Sequence, residues 1–258
     1  MNTARAVLPR EYGAYAELTF PLLTAFLIGG VTMAGLGFAL AVAAWFLARE
    51  PLAVLNGVRG ARLEAALGVP ARRMAWVLGL LGAAGAAAGL LLASPAARAW
   101  ALVPAACAGV LAPALLRGRP KTLGAELVVA AALATMILPV GLSGGMALEL
   151  AALASGVWAA SFALATLAVH AIKARAKPES GAAWTAWAAP LCAGLALAAG
   201  VGGAVLGRWS WAAGIAAAPP ALLVIAALAV GTHPRRLKRV GWSLVGANLV
   251  TLSLLLGA

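Results

Sequence analysis

The chain has 258 residues, 64% hydrophobic and 10% charged, and a mean hydropathy of +1.00, which excludes an ordinary soluble domain and indicates an integral membrane protein. Its 19 Lys and Arg face seven acidic residues, all Glu, for a net charge of +12; with no Asp, an Asp-containing triad, an EF-hand loop and paired Asp metal ligands are excluded. The basic residues fall in short clusters between long apolar runs, a distribution that suits anionic lipid headgroups and not nucleic acid.

A bilayer core about 30 Å thick needs roughly 20 apolar residues per helical crossing, so charge-free stretches mark the spans. Residues 1–13 form a short cytoplasmic segment without signal-peptide form, and the first helix is expected to be retained. The run Leu18 to Ala48 is too long for one crossing, and Gly29, Gly30, Gly35 and Gly37 supply a turn that divides it into helices one and two. Helix three is expected from Met74 to Ala93, helix four from Ala99 to Leu116, helix five from Leu123 to Gly141 and helix six from Leu148 to Val169. Helices seven, eight and nine follow at Trp184 to Leu206, Ala212 to Val230 and Val240 to Gly257. The fold class is therefore all-α, a polytopic bundle of about nine transmembrane helices in a single domain, 1–258.

Loop charge tests this count independently, because cytoplasmic loops collect Lys and Arg. With these spans, 17 basic residues lie on one side and only Arg98 and Arg208 on the other. The expected topology has a cytoplasmic N-terminus and an outer C-terminus, in a multi-pass protein of the cell (inner) membrane. Gly82, Gly85 and Gly89 give helix three a small-residue face that lets a neighbouring backbone approach. Prolines inside the spans, among them Pro21, Pro139, Pro219 and Pro220, bend helices either around a cavity or as tolerated kinks, and both readings stay open.

Membrane-depth carboxylates are costly unless paired or facing a wet cavity. Glu11, Glu17, Glu50, Glu64, Glu126 and Glu179 fall at cytoplasmic helix ends or loops, and only Glu149 outside. Glu50 is expected to close helix two immediately before Pro51. Two readings apply: each carboxylate forms an ion pair with one of the arginines, or Glu17, Glu50 and Glu126 converge on a polar mouth leading into an apolar cavity. Arg59, Arg62, Arg72 and Arg73 after helix two, and His170, Lys173 and Arg175 after helix six, offer donors for a phosphate or carboxylate. His170 and Lys173 share a helix face, while His233 reads as loop. Cys107 and Cys192 are far apart inside apolar runs, so neither a disulfide framework nor a metal site is indicated, and no nucleotide or zinc-hydrolase motif occurs. No cofactor is expected.

Pro9-Arg10-Glu11-Tyr12-Gly13-Ala14-Tyr15, leading into an apolar helix, resembles the start of the YwiC-like membrane proteins, with Tyr12 where that family has His. The resemblance continues through Arg49-Glu50-Pro51-Leu52 and the basic segment after helix six. A more distant resemblance is to the UbiA-type intramembrane prenyltransferases, carried by Lys121-Thr122-Leu123-Gly124-Ala125-Glu126-Leu127 at the entry to helix five. It implies a nine-helix UbiA-like bundle with functional loops after helices two and six. Both Asp-rich motifs of that superfamily are absent; the corresponding loops hold Glu50, Asn56 and Arg59, then His170, Lys173 and Arg175. One Glu and one Asn facing bases make a poor magnesium site, which disfavours metal-dependent prenyl transfer.

The expected function is binding of an isoprenoid-type or other amphiphilic anionic ligand at a cytoplasmic basic mouth, extending to metal-independent transferase or lipid-modifying activity. Glu50, Glu126 and His170 are the candidate catalytic residues. Glu11, Glu17, Asn56, Arg59, Arg62, Arg117, Lys121, Lys173 and Arg175 are the candidate binding residues, and the expected partners are membrane lipids. A membrane transporter and a noncatalytic subunit or assembly factor are the alternatives.

Overall fold

In lipid every backbone N–H and C=O must find its partner within the segment, so runs of Ala, Leu, Val and Gly this long can cross only as helices. A computed structural model describes residues 12–116, 122–176 and 184–258, and among these there is no strand. Eight helical segments are long and apolar enough to cross a membrane, and a shorter apolar helix, Gly13–Gly29, precedes them. The all-α polytopic expectation holds.

The chain divides into two compact units, Met1–Ala151 and Ala152–Ala258. The first contains α1 (Tyr12–Gly29), α2 (Met33–Leu55), α3 (Ala61–Leu92), α4 (Pro95–Trp100), α5 (Leu102–Leu116), α6 (Leu123–Thr135) and α7 (Ile137–Ser143). Helix α8 (Leu148–Ala176) begins in it and continues into the second unit, which holds α9 (Thr185–Val205), α10 (Trp211–Gly214), α11 (Ala218–Ala229) and α12 (Leu237–Leu256). A 3-10 turn, Pro234–Arg236, precedes α12.

The turn between α1 and α2 is shorter than the glycine spacing suggests. Gly30 takes φ +88°, and Thr32 caps α2 by accepting from the Gly35 N–H at 3.1 Å. Gly35 and Gly37, expected in the turn, lie inside α2. There they serve packing: a Cβ on Gly37 would fall 2.6 Å from the Gly89 nitrogen, and one on Gly85 would fall 2.7 Å from the Gly37 carbonyl oxygen. Gly82 lies under the indole of Trp45 and Gly89 under the ring of Phe38. The expected small-residue face of α3 is thus the seam that α2 fills, and this antiparallel pair is the most extensive contact of the first unit. Helix α1 packs mainly on α6 and α7.

Several helices outrun their apolar cores. Helix α3 begins at Ala61, well before Met74, because the Ala, Leu, Arg and Glu that dominate 61–73 are good helix formers that need no lipid around them, and the helix runs on through Gly68 and Pro70. Helix α2 passes through Pro51 to Leu55, so Glu50 does not end it; Pro51 removes only the N–H that would have reached Leu47. Helix α8 continues past Val169 to Ala176 and carries Trp158, Phe162, Leu164 and Ile172, among the largest fully enclosed side chains of the molecule.

Other spans are interrupted. The fifth breaks at Met136, whose N–H turns to Leu133, and the fourth at Ala101. The eighth breaks at Ile215–Ala217, between α10 and α11, where Pro219 and Pro220 follow. Pro220 cannot donate to the Ala216 carbonyl, and the buried Thr251 hydroxyl of α12 does so instead at 2.8 Å. The neighbouring crossing of α9 and α10 is equally close: a Cβ on Gly200 would lie 2.0 Å from the Gly214 oxygen, while Trp209 Nε1–H donates to Gly200 O at 3.0 Å.

Candidate functional site

Of the candidate residues of the first unit, Glu50, Asn56, Arg59 and Arg62 lie where α2 gives way to α3. Helix α2 ends in a Schellman turn: Asn56 is the C-cap, Gly57 at φ +69° donates to Val54 O at 3.1 Å, and Val58 donates to Ala53 O at 3.0 Å. Only a residue without a Cβ takes that φ readily, so Gly57 turns the chain back toward its own helix. Arg59 is thereby carried over Glu50, nine residues earlier. Its Nε donates to Glu50 Oε2 at 3.1 Å, and its Nη2 lies 2.5 Å from Oε1 and 2.6 Å from Oε2. Glu50 is buried, 8% exposed, while the Arg59 side chain keeps 34% of its surface. The pair has a buried acid and a wet-edged base, and both Glu50 oxygens are occupied. Nη1 of Arg59 is not engaged by Glu50.

Arg62 follows in the first turn of α3, exposed, and Asn56 is exposed at the C-cap. Arg49 stacks over the Phe46 ring at 5.7 Å, and the same ring meets Tyr15 of α1 edge-on at 5.6 Å. Glu17 lies half-buried in α1. Glu126 lies half-buried in the first turn of α6, which Thr122 caps by accepting from Ala125 N–H at 3.3 Å. Glu11, Arg117 and Lys121 lie outside the described residues.

In the second unit, His170, Lys173 and Arg175 stand on the last turns of α8 and not in a loop. Lys173 is exposed and His170 half-buried. Arg175 reaches α11, where its Nη1 donates to Leu228 O at 2.8 Å. That oxygen belongs to the last turn of α11, whose carbonyls have no helical partners. The same turn closes as a second Schellman motif, with Gly231 at φ +66° donating to Leu228 O and Thr232 N–H donating to Ala227 O. Beyond it lies an open depression lined by Val230, Gly231, Thr232, His233, Arg235 and Arg236.

Sequence reasoning overlooked this depression, although the basic run 235–239 after Gly231 marks it. It also overlooked Asn248 of α12, 6% exposed, whose Oδ1 has no hydrogen-bond partner among the described residues.

No match is found among curated proteins or solved structures. The UbiA-type resemblance therefore rests on sequence features alone. The family model of YwiC-like proteins matches residues 8–141, a stretch that takes in α1 through α6 and most of α7 and includes the Glu50–Arg59 clamp. More than half of the chain is covered, and this multi-pass membrane protein belongs to the YwiC-like family.

Proposed function

We propose that this YwiC-like protein holds the anionic headgroup of an amphiphile, isoprenoid-type or other, at a basic mouth on the cytoplasmic side, with metal-independent transferase or lipid-modifying activity as the chemical extension. The observation that carries the reading is the clamp. Glu50 orients the Arg59 guanidinium through Nε and Nη2, and exposed Arg62 follows three residues on, so two cations stand on this hairpin where phosphate or carboxylate oxygens would be met. Glu50, with both oxygens taken, acts here as an orienting carboxylate. The general-acid role falls to Glu126.

Mass spectrometry of amphiphiles that copurify with the full chain tests this. An anionic amphiphile enriched over bulk phospholipid, and lost in Arg62→Gln, is expected. A purified protein carrying nothing beyond bulk phospholipid defeats the reading.

A second reading, a transporter, is favoured by one observation: the broken span α10–α11 packs against α12, which carries buried Asn248 near mid-span. Interrupted helices beside polar groups at membrane depth are how such proteins build sites. Solute flux in vesicles that Asn248→Leu abolishes would favour it over headgroup binding.

A further inference from the structure

We infer that the depression between α11 and α12 is a binding site for the headgroup of an anionic glycerophospholipid. It uses none of the residues tested above and stands whether or not that reading holds.

Residues 152–258 contain eight Lys and Arg and one carboxylate, Glu179. The segment 230–239 brings Arg235, Arg236, Lys238 and Arg239 together with no acid. Such a concentration needs counter-charge from outside the segment, and at a membrane boundary the abundant anions are lipid phosphates.

The walls of the depression are held on both sides. Gly231 and Thr232 close the end of α11, the Thr232 hydroxyl donates to Ala227 O at 2.7 Å, and Arg175 donates to Leu228 O. On the far wall Arg235 N–H donates to His233 Nδ1 at 3.2 Å, and Arg236 N–H donates to His233 O at 2.9 Å. Accepting at Nδ1 places the imidazole proton on Nε2, so His233 presents a donor beside the exposed Arg235 and Arg236. Three donor groups on a braced loop suit tetrahedral phosphate oxygens better than cations on a straight helix flank do.

Val230 is 79% exposed at the rim, and Trp242, one turn beyond Lys238 on α12, is 58% exposed. The segment joins two apolar spans, Trp211–Ala229 and Pro234–Leu256, so these side chains sit where acyl chains begin. An exposed Trp just inside a basic cluster is the pattern of the membrane interface. An occupant with an acyl chain beside its phosphate fits that border, and a soluble anion leaves it unused.

The full-length protein in neutral detergent is mixed with phosphatidylglycerol or phosphatidylcholine, and retained lipid is counted by native mass spectrometry. Wild type is expected to retain phosphatidylglycerol in preference, and Arg235→Gln/Arg236→Gln to weaken that retention about tenfold, the loss of one or two charge-assisted hydrogen bonds. Arg235→Lys/Arg236→Lys, which keeps charge but not the planar fork, should lie between them. Arg98→Gln/Arg208→Gln makes the same charge change at two exposed arginines that line no depression and is expected to stay within about twofold of wild type. Equal losses in the 98/208 and 235/236 variants would reveal a net-charge effect and overturn the site. Competition by inorganic phosphate as effective as by the lipid would overturn the lipid assignment. Helicity by circular dichroism confirms that each variant is folded before it is scored.

Discussion

The α2–α3 and α11–α12 hairpins turn an apolar chain at the water boundary in the same way and then use their arginines oppositely. Both helices end in a Schellman turn around a glycine of positive φ, Gly57 in one and Gly231 in the other. In the first, Arg59 folds back onto Glu50 of its own hairpin. In the second, Arg175 arrives from α8 and donates to a backbone carbonyl, and the loop's own arginines stay exposed. The contrast follows from the supply of acid, with six Glu in residues 1–151 and one in 152–258. Where a carboxylate is available, the guanidinium is consumed in fixing the loop. Where it is not, backbone carbonyls fix the loop and the remaining positive charge stays exposed.

The largest expected effect breaks the first hairpin. Arg59→Ala strands Glu50, 8% exposed, without its partner, and removing one member of a buried pair costs about 3 kcal/mol. Glu50→Ala leaves behind only an arginine with a wet edge and should cost about 1 kcal/mol, discounted for that exposure. Thermal unfolding of both variants and of the double variant checks the asymmetry; equal losses would mean that the pair is solvated on both sides. Next comes Gly85→Ala, whose methyl would press on the Gly37 carbonyl and separate α2 from α3, at about 2 kcal/mol. Gly79→Ala, with open space around it, is the neutral control on the same helix.

The glycine seam was legible because small residues at helical spacing have few other uses in an apolar span, and the span count was legible because lipid sets a minimum apolar length. Helix ends were not. Hydropathy marks what lipid touches, and the first turns of α3 and the last of α8 are helical without being apolar, which put Arg62 and Lys173 on helices and not in loops. The partner of Glu50 was hidden for another reason. A spacing of nine matches no helix face, and it becomes a contact only because Gly57 reverses the chain between the two residues. The link from Thr251 to Ala216 spans 35 positions and depends on which face of α12 meets the proline break, a tertiary fact.

That link gives a sharper test inside the second unit. Thr251→Val removes the donor that replaces the N–H of Pro220 and leaves a buried carbonyl unserved, at about 1 kcal/mol. Pro220→Ala restores the missing N–H, so the double variant should recover most of the loss in thermal midpoint. No recovery would show that the hydroxyl does not stand in for the missing amide.

The smallest expected effect lies at Arg175 and decides how the second hairpin is held. Arg175→Met keeps the length of the side chain and removes the donor to Leu228 O, which still accepts from Gly231 N–H at 3.2 Å. A carbonyl with one remaining partner at the wet end of a helix should give up only about 0.5 kcal/mol. The global midpoint therefore barely moves, and the change is local. Amide exchange across 228–236 should quicken severalfold while exchange in α2 and α3 stays put. Thr232→Val removes the donation to Ala227 O one carbonyl earlier, so combining the two variants should loosen the segment by more than the sum of the singles. If the braced loop is what shapes the depression, Arg175→Met should also weaken phosphatidylglycerol retention although its side chain is not among those that line the depression. In the first hairpin no such separation is available, because there the same arginine both fixes the turn and carries the charge.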